Sequence, residues 1–355
     1  MPPPTLSEHF EEQAGWCTQL GSPLTAELLL AMKDDLRDGG IIETLIGDWP
    51  TNPRADALGL RLTAALHFAR LSGMSDALAD AYPSGDTDWS LKTLWPAARD
   101  FLSGNTEWTR AFIQSPPQTN ETRRAFMLLT GLKTIAGQFD RPIHLLELGA
   151  SAGLNQNFDA FHYDAGSWQW GDPASPMKVT TQWEGPEPDL SAPLVIHARK
   201  ACDQNPLDLS DPVTRLTTKS YIWADQPERL ARFDAAADIA ISRGTHVEKA
   251  DAADWLEREL AARPDGVTTV VFHSVFFQYP PIETRQRMTA LIEHYGRAAM
   301  DDAPICWLRY EPAVLWDRDT AYSAANMLCD FRAWPGDTRT RLLRSDGHVL
   351  AVKPA

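Results

Sequence analysis

The sequence predicts an α/β protein, a doubly wound sheet preceded by an all-helical region. Three observations carry this. Before residue 140 apolar residues recur at helical spacing, and no alternating strand pattern of useful length occurs. After residue 140 continuous apolar runs appear at 143–148, 194–198, 267–277 and 305–310, as expected of strands buried on both faces. Helical segments separate them at 154–161, 226–241, 254–262 and 282–300, and alternating strand and helix implies parallel pairing.

The elements follow in chain order. Residues 6–20 place Phe10, Ala14 and Cys17 on one helical face. Thr25 is positioned to cap a second helix, through Leu28 to Met32, that stops near Asp38-Gly39-Gly40. Residues 58–71 stack Leu62, Ala65, Leu66 and Ala69, and 95–101 and 108–113 form shorter pieces. After Pro116-Pro117, Thr119 or Asn120 can cap a helix running to about Gly137. Residues 163–193, rich in Trp, Pro and Gly, read as an insertion in the sheet region. Ser345-Asp346-Gly347 is a turn signal between 341–343 and 348–352, which predicts a terminal hairpin. The expected division is a helical cap domain at 1–138 and a sheet domain at 139–355.

Composition narrows the partners. The 355 residues carry a formal net charge of -15 and no Lys/Arg run, so a phosphate backbone is repelled and nucleic acid is not expected. No apolar run approaches the roughly 20 residues of a membrane span. Met1-Pro2-Pro3-Pro4 lacks a charged and then apolar leader, so a cytoplasmic location is expected. Cys17, Cys202, Cys306 and Cys329 lack metal-ligand or disulfide-framework spacing; reduced thiols and no metal site are expected.

The densest stretch is His144-Leu145-Leu146-Glu147-Leu148-Gly149-Ala150-Ser151-Ala152-Gly153-Leu154-Asn155. It reads as a buried strand, a small-residue turn and a helix start, and it fits two chemistries. As an acid followed by Gly-x-x-x-Gly it matches the nucleotide loop of a Rossmann-like S-adenosylmethionine (SAM) enzyme. There small residues let the backbone pass close to a ligand, and free amides at the helix start bind its polar groups. Glu147 would organise the cationic methionine end, with Gly149, Ala150, Ser151, Gly153 and Asn155 around it. As Gly149-x-Ser151-x-Gly153 it also matches the nucleophile elbow of an α/β-hydrolase. That reading needs a later acid and His348, with Asp301, Asp317 or Asp346 as the acid. About 140 mostly helical residues precede the loop, however, whereas an elbow normally follows several strands.

Later positions weigh toward SAM. Asp203, after the second strand, is placed to accept from ribose hydroxyls; a loop acid capping a turn is the plainer alternative. Asp251-Ala252 suits an adenine contact, or equally a helix N-cap. His273 ends the fourth strand, where a methyl acceptor would lie, and is a catalytic candidate or a structural histidine. Asn120 and Glu121 either cap a helix or touch cofactor and acceptor, with Glu121 a second candidate base.

Five phrases stand out together: Gln118-Thr119-Asn120-Glu121, the 146–155 stretch, Cys202-Asp203-Gln204-Asn205-Pro206-Leu207-Asp208, Tyr221-Ile222-Trp223-Ala224-Asp225-Gln226, and Val271-Phe272-His273-Ser274 with Gln278-Tyr279. Together they resemble an uncharacterised bacterial family, the domain of unknown function DUF2332. Their order spans nearly the whole chain. The resemblance implies a helical region joined to a SAM-methyltransferase-like domain. It also suggests Asn120, Arg199, Asp208, Trp223 and Tyr279 as substrate-side candidates; a structural role is the plainer alternative for the last four, for Trp223 above all. In two places the chain departs from pattern. Ser151 stands where SAM enzymes carry a second loop glycine, and Ser345-Asp346-Gly347-His348 stands where relatives have Asp-Pro-His-Gly.

The expectation is a Rossmann-like, SAM-binding, methyltransferase-like protein acting on a small-molecule methyl acceptor. Catalysis would come mainly from positioning, because the sulfonium already activates the methyl group. A serine hydrolase using Ser151 and a non-catalytic SAM sensor or scaffold stand as alternatives.

Overall fold

The computed structural model describes residues 4–84, 88–118, 120–315 and 326–355. The chain folds as two compact units, Met1–Thr119 with Leu209–Phe233, and Asn120–Asp208 with Asp234–Ala355. This differs from the expected boundary at 138. Residues 120–138 go with the sheet unit, and residues 209–233 return to the helical one.

The helical unit contains α1 (Leu6–Gln19), α2 (Pro23–Arg37), α3 (Ile41–Ile46), α4 (Leu58–Leu71), α5 (Asp76–Ala81), α6 (Leu91–Gly104) and α7 (Thr106–Phe112). In the sheet unit follows α8 (Ala125–Phe139), and the chain then returns with α9 (Pro212–Ser220). Thr5 and Glu8 form a reciprocal capping box that starts α1. Ser22, not Thr25, caps α2, because Pro23 at the first helical position fixes the entry one turn earlier. α4 is buried on almost every side, and its Leu62 and Leu66 join Phe10, Leu29, Leu102 and Trp223 in one core.

The sheet unit opens with β1 (Ile143–Leu148), six apolar-spaced residues buried without exception. The insertion forms a small sheet of β2 (His162–Asp164), β3 (Gln169–Trp170) and β4 (Lys178–Thr180), then β5 (Gln182–Trp183). There follow β6 (Ile196–Asp203), α10 (Pro227–Ser242), of which 227–233 count with the helical unit, β7 (Glu248–Lys249), α11 (Ala252–Ala261), β8 (Thr268–Ser274), α12 (Ile282–Arg297) and β9 (Ile305–Pro312). The chain ends with β10 (Met327–Trp334), β11 (Thr338–Ser345) and β12 (Ala351–Pro354). The large sheet runs β5-β12-β11-β10-β9-β8-β1-β6-β7. β7, β6, β1, β8 and β9 are mutually parallel, whereas β9 to β12 form an antiparallel meander.

Helices cover both faces. On α8, a Cβ added at Gly131 would lie 2.6 Å from Leu308, so this helix crosses β9 at van der Waals contact. On α12, a Cβ at Gly296 would lie 2.5 Å from Trp334, which pairs with Ile305 and therefore occupies the opposite face. Leu146, Val271 and Trp307 pack with Trp255 of α11 and Ile292 of α12 on that second face.

The fold is thus mixed α/β with a large, partly parallel sheet. Two points differ from expectation. The hairpin predicted around Ser345-Asp346-Gly347 is present as β11 and β12, but a further strand, β10, joins it to β9 in an antiparallel meander. Its strand β10 contains Asp330 and Arg332, polar residues that hid a fully buried strand. Residues 154–161 form not an α-helix but a 3-10 stretch, Leu154–Ala160, kinked at Asn157. The amide row expected to follow the loop is therefore short and irregular. Among the described residues no helix is long and apolar enough to cross a membrane, and no group of three or more His, Cys, Asp or Glu could hold a metal ion. All four cysteines are buried free thiols.

Candidate functional site

The sheet order reverses direction of winding at β1, whose neighbours are β6 on one side and β8 on the other. Outside the carboxyl ends of such strands lies the crevice where α/β sheets bind ligands. The chain leaves β1 through three left-handed positions, Gly149 (φ +65°), Ser151 (φ +55°) and Gly153 (φ +69°). Ser151 takes a conformation that favours glycine, at a cost of about 1 kcal/mol, and its surroundings hold it there. Its amide donates to Asp203 Oδ2 at 2.8 Å, and its carbonyl accepts from Leu207 N at 3.2 Å. Asp203 Oδ1 accepts from Asn205 N at 2.9 Å. Asp203 is therefore a staple between the loops after β1 and β6.

A third segment joins them. Asn120 Nδ2 donates to Ala150 O at 2.6 Å, and Asn155 Nδ2 donates to Asn120 Oδ1 and to Glu121 O, both at 3.4 Å. Thus Asn120, Glu121, the 149–153 loop, Asn155 and Asp203, separated by up to 83 positions in the chain (203 minus 120), form one contiguous cluster. Thr119 lies outside the described residues.

Behind the loop sits Glu147, 3% exposed. Burial, with a smaller push from the Asp203 carboxylate, raises its carboxyl from 4.5 to about 8, against a lowering influence of the Gln156 amide. Ser151 Oγ and Asn155 Oδ1 are buried without a hydrogen-bond partner, and Glu147 Oε2 and Gln156 Nε2 also lack one of good geometry, although the Gln156 amide is near enough to lower the Glu147 carboxyl. Native interiors leave few such atoms, and here four belong to one stretch of ten residues.

The end of β8 is built differently. His273 and Glu311 are both fully buried. Glu311 Oε1 accepts from His273 Nδ1 at 2.6 Å, Phe276 N at 2.9 Å and Phe277 N at 3.1 Å. His273 Nε2 accepts from Trp307 Nε1 at 3.0 Å. That fixes the tautomer: the Nδ1 proton faces the carboxylate, and the Nε2 lone pair faces the indole. The ring has no lone pair left for an acceptor's proton, which corrects the expectation of His273 as a base. It is a strut. Glu121, also buried, caps the 3-10 turn Thr122–Arg124 through Oε1 and Arg123 N at 3.2 Å, so its position has a structural account as well.

Other candidates fall elsewhere. Asp251 caps α11, accepting from Ala253 N and Asp254 N at 2.9 and 3.1 Å, and Ala252 is buried in the core with Leu146 and Trp255. Arg199 is committed to a two-pronged pair with Asp159. It borders a surface cleft of roughly 560 Å³ that reaches Gln156. Asp208 is exposed in the loop after β6. Trp223 belongs to the core of the helical unit, under the Arg229 guanidinium. Tyr279 is 72% exposed just beyond β8. Of the hydrolase acids, Asp346 braces the amides of His348 and Leu350, and Asp317 lies outside the described residues.

Sequence reasoning missed Gln156, Phe276 and Glu311. Glu311 left a trace: an acid within an otherwise buried strand needs a partner. Phe276 left none, since an aromatic after a strand is ordinary.

The family model described as "Uncharacterized protein conserved in bacteria (DUF2332)" matches residues 7–353. No curated protein and no solved structure matches the chain.

Proposed function

The chain belongs to this DUF2332 family of bacterial proteins, and from the carboxyl edge of its sheet we propose that it is a SAM-binding, methyltransferase-like protein. One observation carries the reading. Glu147 is buried without a cationic partner, beside three further orphaned polar atoms, directly behind a loop of small residues in left-handed conformation. A site of this kind suits a ligand that brings its own cation. Glu147 would face the ammonium of the methionine end, Gln156 and Asn155 its remaining polar groups, and Asp203 the ribose, through lone pairs not used by the two amides. The order β7-β6-β1-β8-β9 of the five parallel strands, with its reversal at β1, supports the same reading. SAM supplies an activated methyl group; the residues supply binding, orientation and exclusion of water.

His273 and Glu121 are both engaged within the protein. This favours chemistry that relies on positioning, or a second reading in which the pocket binds SAM as a sensor or scaffold without turnover. Ser151 Oγ has no hydrogen-bond partner and so no base to activate it; no observation favours the serine hydrolase.

Mass spectrometry of the denatured, freshly purified protein is expected to find SAM or S-adenosylhomocysteine. Calorimetry is expected to show binding that Glu147→Ala largely abolishes. Folded wild-type protein that binds neither compound would overturn the proposal. Binding without turnover across a broad acceptor panel would select the sensor reading.

A further inference from the structure

The carboxyl edge of the sheet has two unlike parts. Around the end of β1 are the orphaned polar atoms. Beyond β8 the chain reads Val275-Phe276-Phe277-Gln278-Tyr279-Pro280-Pro281-Ile282, eight residues without a charge. Phe276 is half-buried, Tyr279 is 72% exposed and Ile282 is 50% exposed. Exposed apolar side chains concentrated at the carboxyl edge of a parallel sheet mark a binding surface.

The two parts touch. The Phe276 ring lies directly on Gly149: a Cβ there would sit 2.1 Å from Phe276 Cδ2 and 2.6 Å from Cγ. The ring is held in place from below. Glu311 accepts both the Phe276 and Phe277 amides, His273 secures Glu311, and His273 stacks on Phe277 with centroids 5.0 Å apart. Val275 is left-handed at φ +50°, a conformation that a β-branched residue keeps only when its surroundings impose it, and its amide donates to Tyr310 O at 2.8 Å. A buried carboxylate, a histidine and a strained turn thus fix one partly exposed aromatic ring against the ligand loop.

We infer that residues 276–282 form the acceptor-binding wall, that Phe276 receives the flat face of a small, uncharged aromatic acceptor, and that Glu311 is the positioning residue that sets the ring. The word acceptor rests on the SAM-binding reading; the preference for a flat apolar molecule rests on this loop alone. Residues 276–282 themselves carry no cation for a carboxylate or phosphate acceptor and no anion for an amine. A flat ring can stack on Phe276 and gain more than its buried area alone provides.

The test uses the full chain and saturation-transfer NMR, with indole, phenol and quinoline as flat probes and acetate, ethanolamine and inorganic phosphate as unlike ones. The flat probes are expected to bind, and Phe276→Ala to weaken them about tenfold while Phe276→Tyr retains them. S-adenosylhomocysteine affinity, measured by calorimetry on the same variants, reports separately on the cofactor side. Glu311→Ala is expected to lose the flat probes and Glu311→Gln, which keeps an acceptor oxygen, to restore them. Should Glu311→Ala not fold, the half-exposed Phe276 position decides. Flat probes that bind no better than acetate and phosphate, or that bind Phe276→Ala as well as wild type, overturn the inference and leave SAM binding standing. Flat probes that bind through Phe276 in a protein that ignores S-adenosylhomocysteine keep the apolar wall and remove the SAM reading.

Discussion

Replacing Glu147 with glutamine should change how stability depends on pH. The carboxyl titrates at about 8 in the fold against an ordinary 4.5. Each pH unit of that difference corresponds to about 1.4 kcal/mol, so charging Glu147 inside the sheet unit costs about 5 kcal/mol more than charging it in the unfolded chain. The sign follows from proton counting. Between about pH 4.5 and 8 the folded protein holds a proton that the unfolded chain has released, so stability falls as pH rises. The neutral form's advantage is complete below 4.5 and gone above 8. Glutamine is neutral throughout and removes this slope. Other titrating groups are common to both proteins and cancel in the difference. Urea denaturation at pH 5, 6, 7 and 8 is therefore expected to show Glu147→Gln gaining on wild type by about 4 kcal/mol across the range. Parallel pH profiles would refute the account of Glu147 as a buried, unpaired acid. The same logic reaches the ligand. A cation bound against Glu147 would ionise it, so SAM binding at pH 7 should release nearly one proton, visible as a dependence of calorimetric heat on buffer ionisation enthalpy.

Asp203→Ala removes the carboxylate that accepts from Ser151 N and Asn205 N; a loss of about 2 kcal/mol in chemical denaturation is expected, together with weaker SAM binding by calorimetry. Gly149→Ala meets both a left-handed backbone and the Phe276 ring, and should cost about 3 kcal/mol. In the double variant with Phe276→Ala the steric part should be recovered, and a strictly additive double-mutant cycle would contradict the contact. His273→Ala should destabilise by about 3–5 kcal/mol, because it removes two buried hydrogen bonds and leaves a cavity; a variant of wild-type stability that had lost only turnover would restore the catalytic role.

The legible parts of the fold were those with one dominant period. β1 at 143–148 and α4 at 58–71 stand where the apolar pattern puts them, because an unbroken run or a four-sided apolar helix has few alternatives. β10 was illegible because Asp330 and Arg332 interrupt it. Arg309 pairs with Asp330, while Glu293 and Asp337 pair with Arg332. These partners are distant or unremarkable in sequence, and only the register of β9 against β10 brings Arg309 to Asp330.

The candidate site divides the same way. Gly149, Ser151, Gly153 and Glu147 could be singled out from the residues, because a tight turn after a buried strand demands small side chains and a lone acid in such a strand is costly. What each does was decided by contacts across the sheet. Asp203 became a staple when β6 came to lie beside β1. His273 changed from candidate base to strut because β9 delivers Glu311 and Trp307 to its two nitrogens. Trp223 left the site for the core of the other unit. Local chemistry sets which residues can do something unusual; the partner across the strand sets whether they do, since a hydrogen bond or a buried charge is defined by two groups and the sequence shows one at a time.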